Sequence, residues 1–135
     1  MRIMAIDYGD ARTGVAFSDL TGSIAGRSTV IHERDAGRLI SALCKLIQEE
    51  QVTGLVMGFP RNMDGSEGPR AALYRDFAAQ LETAAGMSVI LWDERRTTVD
   101  AHRILSEQNY HGKKRKNTVD AVAAALILEG YLHSL

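Results

Sequence analysis

The stretch "AIDYGDARTGVAFSD" (residues 5–19) ends one apolar run on an aspartate, turns through a glycine two places later, and passes an arginine into a second apolar run. The first run starts near Arg2 and is almost continuously apolar, the pattern of a strand covered on both faces of a sheet. Asp7 then has two possible jobs. Aspartate is favoured where a turn begins, because its side chain bonds the backbone two residues on. A carboxylate at the end of a central strand can also hold something positive.

Outward from this stretch, Gly14 to Asp19 reads as a second strand and Ser23 to His32 as a third. Gaps this short permit hairpins but no crossovers, so the chain opens as an antiparallel meander. From Asp35 to Glu50, apolar residues at 39, 40, 43, 46 and 47 follow the period of an amphipathic helix, with Cys44 beside the stripe as core filler. Gly54 to Gly58 is a short buried strand, and Phe59 to Gly68 is a loop rich in glycine. A helix from about Pro69 to Ala85 follows, with Leu73, Phe77 and Leu81 four apart. Next come a strand at Ser88 to Trp92, a helix from about Thr98 to Gln108, a basic loop, and a last helix from Thr118 to about Leu132.

Helical crossovers return parallel strands. The expected fold is therefore α/β: a ribonuclease H-like mixed five-stranded sheet, an antiparallel three-strand meander followed by two strands parallel to the first, flanked by helices. A chain of 135 residues with 45% hydrophobic residues suits one domain, expected over 1–135. Net charge is −1, so overall electrostatics select no partner. No stretch approaches the ~20 apolar residues that span a bilayer, and Asp7 interrupts the first run too early for a signal peptide. The expectation is a cytoplasmic protein with no membrane partner. Cys44 is the single cysteine, and the four histidines lack the spacing of a zinc site. Any metal must be held by oxygen.

Three segments carry an acid at an element boundary: Asp7, the Asp93/Glu94 pair in "WDER" (residues 92–95), and Asp120 in "NTVDAVAAALIL" (residues 117–128). In an open sheet, parallel strands that end on one edge share one crevice. Asp120 has a plainer account too, since it follows Asn117 at the spacing of a capped helix start, where an acid complements the dipole. Against that, Ala121 to Leu128 has no polar residue, and a carboxylate at the mouth of so apolar a helix wants a partner. Adjacent strand residues point to opposite faces, so one of Asp93 and Glu94 can join the cluster, and the longer reach of Glu94 is preferred. Acids so gathered would repel one another and would either protonate or bind a cation. Mg²⁺ or Mn²⁺ suits carboxylate oxygens, and two such ions ~3.5–4 Å apart catalyse phosphodiester hydrolysis.

A polyanionic substrate would meet "HGKKRK" (residues 111–116), where Lys113, Lys114, Arg115 and Lys116 precede the last helix. A charge run is often only solvated surface, but its place beside the acids favours phosphate contact. Arg12, Arg61, Asn62 and Arg95 are further candidates for nucleic-acid contact.

The segments "DYGDARTGVAFSD" (7–19), "GFPRNMDGSEG" (58–68), "DERRTT" (93–98) and "TVDAVAAALIL" (118–128) together resemble the YqgF, or RuvX, family of bacterial ribonuclease H-like proteins, described as pre-16S rRNA nucleases and as relatives of Holliday-junction resolvases. The resemblance runs in order across essentially the whole chain. It implies a metal-dependent endonuclease with catalytic Asp7, Glu94 and Asp120, Asp93 beside them as a further metal ligand, and Mg²⁺ or Mn²⁺ as cofactor. It implies partners among nucleic acids, pre-16S rRNA first and branched DNA second, with ribosomal particles as a setting and a monomer or homodimer as the form. Gly58 and Phe59 occupy the place where resolvases carry a further acid after the fourth strand. Two other classes compete. The Asp-x-Gly opening also resembles the phosphate hairpin of actin-like and hexokinase-like ATPases, which need a second domain beyond this length, and the fold with its basic stretch could serve a non-catalytic RNA-binding module.

Overall fold

The apolar run that ends at Asp7 forms strand β1, Arg2–Asp7, and its four central residues are buried. The computed structural model describes residues 1–22, 25–60, 66–93 and 112–135. Burial on both sides explains the lack of alternation. Met4 and Ile6 enter one apolar cluster, whereas Ile3 and Ala5 enter another on the opposite face.

The turn after β1 leads into β2 (Arg12–Ser18), and β3 (Ala25–His32) completes the meander. A side chain at Gly9 would place its Cβ 2.2 Å from the carbonyl oxygen of Arg12, so the tight turn requires glycine. Helix α1 (Ala36–Glu49) then crosses to β4 (Val52–Phe59), and helix α2 (Pro69–Ala85) crosses to β5 (Val89–Asp93). The last described element is helix α3, Gly112–His133. The sheet order is β3-β2-β1-β4-β5. Antiparallel pairing joins β1 to β2 and β2 to β3, and parallel pairing joins β1 to β4 and β4 to β5. This is the mixed sheet that the order of apolar runs predicts.

Helices α1 and α2 cover one face. Asp35 caps α1 by accepting the Arg38 N–H at 2.9 Å, and Leu39, Leu43 and Ile47 form the buried stripe, with half-buried Cys44 packed against it. Helix α2 starts with Pro69 behind Gly68 and stops at Gly86, whose φ of 71° is left-handed. Its buried stripe is Ala71, Tyr74, Phe77, Ala78 and Leu81. Leu73, expected on this stripe, is instead 63% exposed. Tyr74 takes the inward position because its hydroxyl donates to the Tyr8 carbonyl at 2.7 Å, a partner far away in sequence.

Helix α3 covers the other face, where Ala124, Ile127 and Leu128 pack on Ile3, Ala5, Ala16 and Val56. It starts at Gly112, six residues before the expected Thr118, so the basic stretch 113–116 is helical rather than a loop. Lysine and arginine are good helix formers, and no glycine or proline interrupts the chain between 113 and 129. The expected helix at 98–108 and the residue Ser23 lie outside the described residues. Among the described residues, no helix is long and apolar enough to cross a membrane.

The two leucines of α2 give a direct test of this packing. Leu81→Ala should cost about 2–5 kcal/mol in denaturant unfolding, while Leu73→Ala should stay within about 0.5 kcal/mol of the wild type. Equal costs would mean that α2 turns a different face towards the sheet.

Tyr8 gives a second test. Its ring stacks on Phe77 with centroids 4.1 Å apart. Burial, reinforced by the negative charges of Asp10 and Asp76, pushes its phenol above the ordinary 10.0. The native protein therefore keeps this proton where the unfolded chain has lost it, so stability falls as pH rises from about 10 towards the native value. Phenolate absorbance should include a late phase that Tyr8→Phe diminishes, and the same substitution should flatten the alkaline loss of stability.

Candidate active site

Strand parity decides which side chains can meet. Asp7 follows Ile3 and Ala5 in the alternation of β1, so it lies on the face covered by α3. It is half-buried at the strand end. Across the antiparallel ladder its partner is Gly14, which shares the alternation of Ala16 and faces α3 too.

Gly14 is the seat of the helix. A Cβ there would stand 2.1 Å from the carbonyl oxygen of Asp120 and 3.3 Å from the Cβ of Ala124. Without that atom, the backbone of α3 rests directly on β2, one strand away from Asp7. Two acids 113 positions apart in sequence are thereby brought to one edge of one face. Asp120 lies well inside α3 rather than in its first turn, so helix capping does not account for it.

Arg12 stands on the same side. Its Nε donates to Oδ2 of Asp120 at 2.9 Å, with side chains 38% and 21% exposed respectively. An ion pair this exposed adds little stability. It does orient the carboxylate, and it places a cation within reach of any anion that approaches the acids.

Asp93 follows Val89 and Leu91 in the alternation of β5, and these two pack with the α1 and α2 cluster, while Trp92 packs with α3. Parity therefore sets Asp93 on the opposite face from Asp7. Glu94 lies outside the described residues, as do Arg95, Arg61 and Asn62. The end of β4 adds no carboxylate: Gly58 pairs with Trp92, and buried Phe59 carries the Arg75 guanidinium over its ring at 4.6 Å. Lys113, Lys114, Arg115 and Lys116 occupy the first turns of α3, on the same helix as Asp120.

Carboxylate oxygens of Asp7 and Asp120 are the hard donors that Mg²⁺ or Mn²⁺ takes. Among the described residues, no three potential ligands are grouped closely enough to hold a metal ion.

One feature has no local signal in the sequence. A cleft of about 410 Å³, lined by Ala11, Arg12, His32, Glu33 and Arg34, opens beside Arg12. Only the β2–β3 register, which sets Arg12 opposite His32, reveals it.

Comparison with known proteins fits this architecture. The model of the family described as "RuvX: Holliday junction resolvase" matches residues 1–134. A protein of Halothermothrix orenii named "Putative pre-16S rRNA nuclease" is 45% identical over 133 residues, covering 98% of this chain and 95% of its own. A protein of the same name from Bacillus subtilis is 42% identical, covering 100% and 99%. Among solved structures, RuvC of Thermus thermophilus in complex with a Holliday junction substrate superposes with a TM-score of 0.61 at 13% identity, covering 99% of this chain and 96% of that one. The Fowlpox virus Holliday junction resolvase gives 0.57 at 15% identity, with both chains fully covered. At such identities these two structures speak for the shared ribonuclease H-like fold alone. The family match over nearly the whole length, with relatives above 40% identity, makes this chain a member of the RuvX family.

Proposed function

We propose that this chain, as one nuclease domain over residues 1–135, is a metal-dependent endonuclease that hydrolyses phosphodiester bonds in structured RNA, with the 5′ end of pre-16S rRNA as its target. The observation that carries the reading is the convergence of Asp7 and Asp120 on one face through the Gly14 contact. Family relatives named for a pre-16S rRNA nuclease support the substrate. A cytoplasmic setting beside ribosomal particles follows from that substrate.

In this reading Asp7, Asp120 and Glu94 hold Mg²⁺ or Mn²⁺, and parity argues against Asp93. When bound, the ions supply Lewis acidity that activates water and stabilises the leaving oxygen. The remaining steps belong to the chain. Arg12 orients Asp120 and meets a phosphate oxygen beside the scissile bond. The cations at 113–116 sit where the backbone dipole of α3 is already positive, an arrangement that phosphate stabilises, and they draw the strand in without reading its sequence. Arg61, Asn62 and Arg95 complete the set of contacts to the strand.

Branched DNA is the second reading, favoured by the description of the family as a Holliday junction resolvase. A cleavage assay that offers precursor rRNA and a four-way junction side by side, with Mg²⁺, Mn²⁺ or EDTA, separates the two. Cleavage of the rRNA with either metal and none with EDTA is expected. Asp7→Asn, Asp120→Asn and Glu94→Gln should each lose more activity than the roughly 10–100-fold typical of outer-shell partners, with unfolding curves unchanged, while Asp93→Asn should keep most of it. Full activity in Asp7→Asn or Asp120→Asn would remove the assignment, and binding without cleavage by the wild type would leave an RNA-binding module.

A further inference from the structure

The end of the β2–β3 ladder is built as a cleft that shares Arg12 with the acids. Beyond the pair of Arg12 and His32, the Glu33 N–H donates to the Ala11 carbonyl at 3.1 Å and extends the ladder, so Ala11 and Glu33 form the inner wall. Arg12, His32 and Arg34 line the rest. Arg12 belongs to both places, since the same side chain holds Asp120.

The lining selects among ligands. A volume of about 410 Å³ falls within the roughly 300–1,000 Å³ of small-molecule sites, yet such sites are mostly apolar and closed. Here Ala11 is the one aliphatic residue, and His32 and Arg34 are exposed. Nothing in the lining would grip a hydrophobic ligand. Two guanidinium groups and an imidazole offer N–H donors, which imidazole retains even when neutral. The one acid, Glu33, accepts the backbone N–H groups of Arg34 and Asp35 at 3.1 Å each, and the nearby Asp35 carboxylate is engaged in capping α1. Donors thus dominate what the cleft presents, the chemistry that fits phosphate oxygens.

We infer that this cleft seats the phosphodiester backbone of the nucleic-acid strand next to the scissile bond, with His32 and Arg34 extending the contact that Arg12 starts. The inference rests on the nucleic-acid reading above. RNA and DNA share this phosphate chemistry, so the cleft aligns the strand without choosing between them.

Fluorescence anisotropy with a short RNA and a DNA of the same sequence, titrated across a range of salt, tests it. The Asp7→Asn protein keeps the strand intact and serves as parent. Adding His32→Ala together with Arg34→Ala should weaken binding about three- to tenfold and lower the salt slope by about 1, equally for RNA and DNA. Arg34→Glu should weaken it further. Both exposed positions should leave the melting curve in place.

Affinity and slope that stay at parental values would overturn the cleft, as would a parent that binds neither strand. A loss confined to RNA would point to 2′-hydroxyl recognition and overturn the phosphate assignment. If the cleavage assay fails while these substitutions still weaken binding, the cleft stands and the nuclease reading falls; cleavage that succeeds with unaltered binding in the variants gives the reverse.

Discussion

A missing Cβ governs the placement of the acids. Gly14 lies under α3 so closely that any side chain would collide with the Asp120 carbonyl at 2.1 Å, and backbone has no rotamer by which to move aside. The small side chain of Ala124 extends the close approach by one turn. Helix and sheet meet there almost backbone to backbone, and the apolar residues Ile127 and Leu128 then lock the rest of α3 over Ile3, Ala5 and Val56. Burial of those side chains stabilises the contact, while glycine sets its distance. The position of Asp120 relative to Asp7 is a consequence of packing that neither acid controls.

Electrostatics follow from that placement. Asp7 ends a strand whose interior is fully buried, and Asp120 immediately precedes the apolar run 121–128 of α3. Carboxylates in such surroundings call for positive charge, and Arg12 supplies some of it from the neighbouring strand. The Arg12 guanidinium already holds one oxygen of Asp120, so under the proposed reading an ion bound there would have to compete with it. The reach of Arg12 into the adjacent cleft links charge at the acids to the charged groups that line that cleft. One residue at the start of β2 thereby joins the two regions.

Much of this was legible in the sequence because it depended on local rules. The unbroken apolar run of β1, the short gaps of the meander and the period of α1 each announce themselves within a few residues, and together they determine the sheet. Other features depended on distant partners. Tyr74 displaces Leu73 from the buried stripe of α2 because its hydroxyl finds the Tyr8 carbonyl, which no helical period encodes. The start of α3 is set by the absence of a breaker after Gly112, whereas Asn117 imitates a cap. That Asp93 lies on the face away from Asp7 follows from the face Trp92 takes, and that emerges only once α3 is in place. The cleft at His32 and Arg34 needs a strand register that two hairpin residues cannot specify alone.

If Asp7 and Asp120 belong to one cation site, anomalous diffraction from crystals soaked in Mn²⁺ will show it directly. The expected result is a peak at coordination distance from carboxylate oxygens of both residues, with the Arg12 guanidinium displaced from Asp120. Manganese bound elsewhere on the protein, with no density between these two side chains, would contradict it.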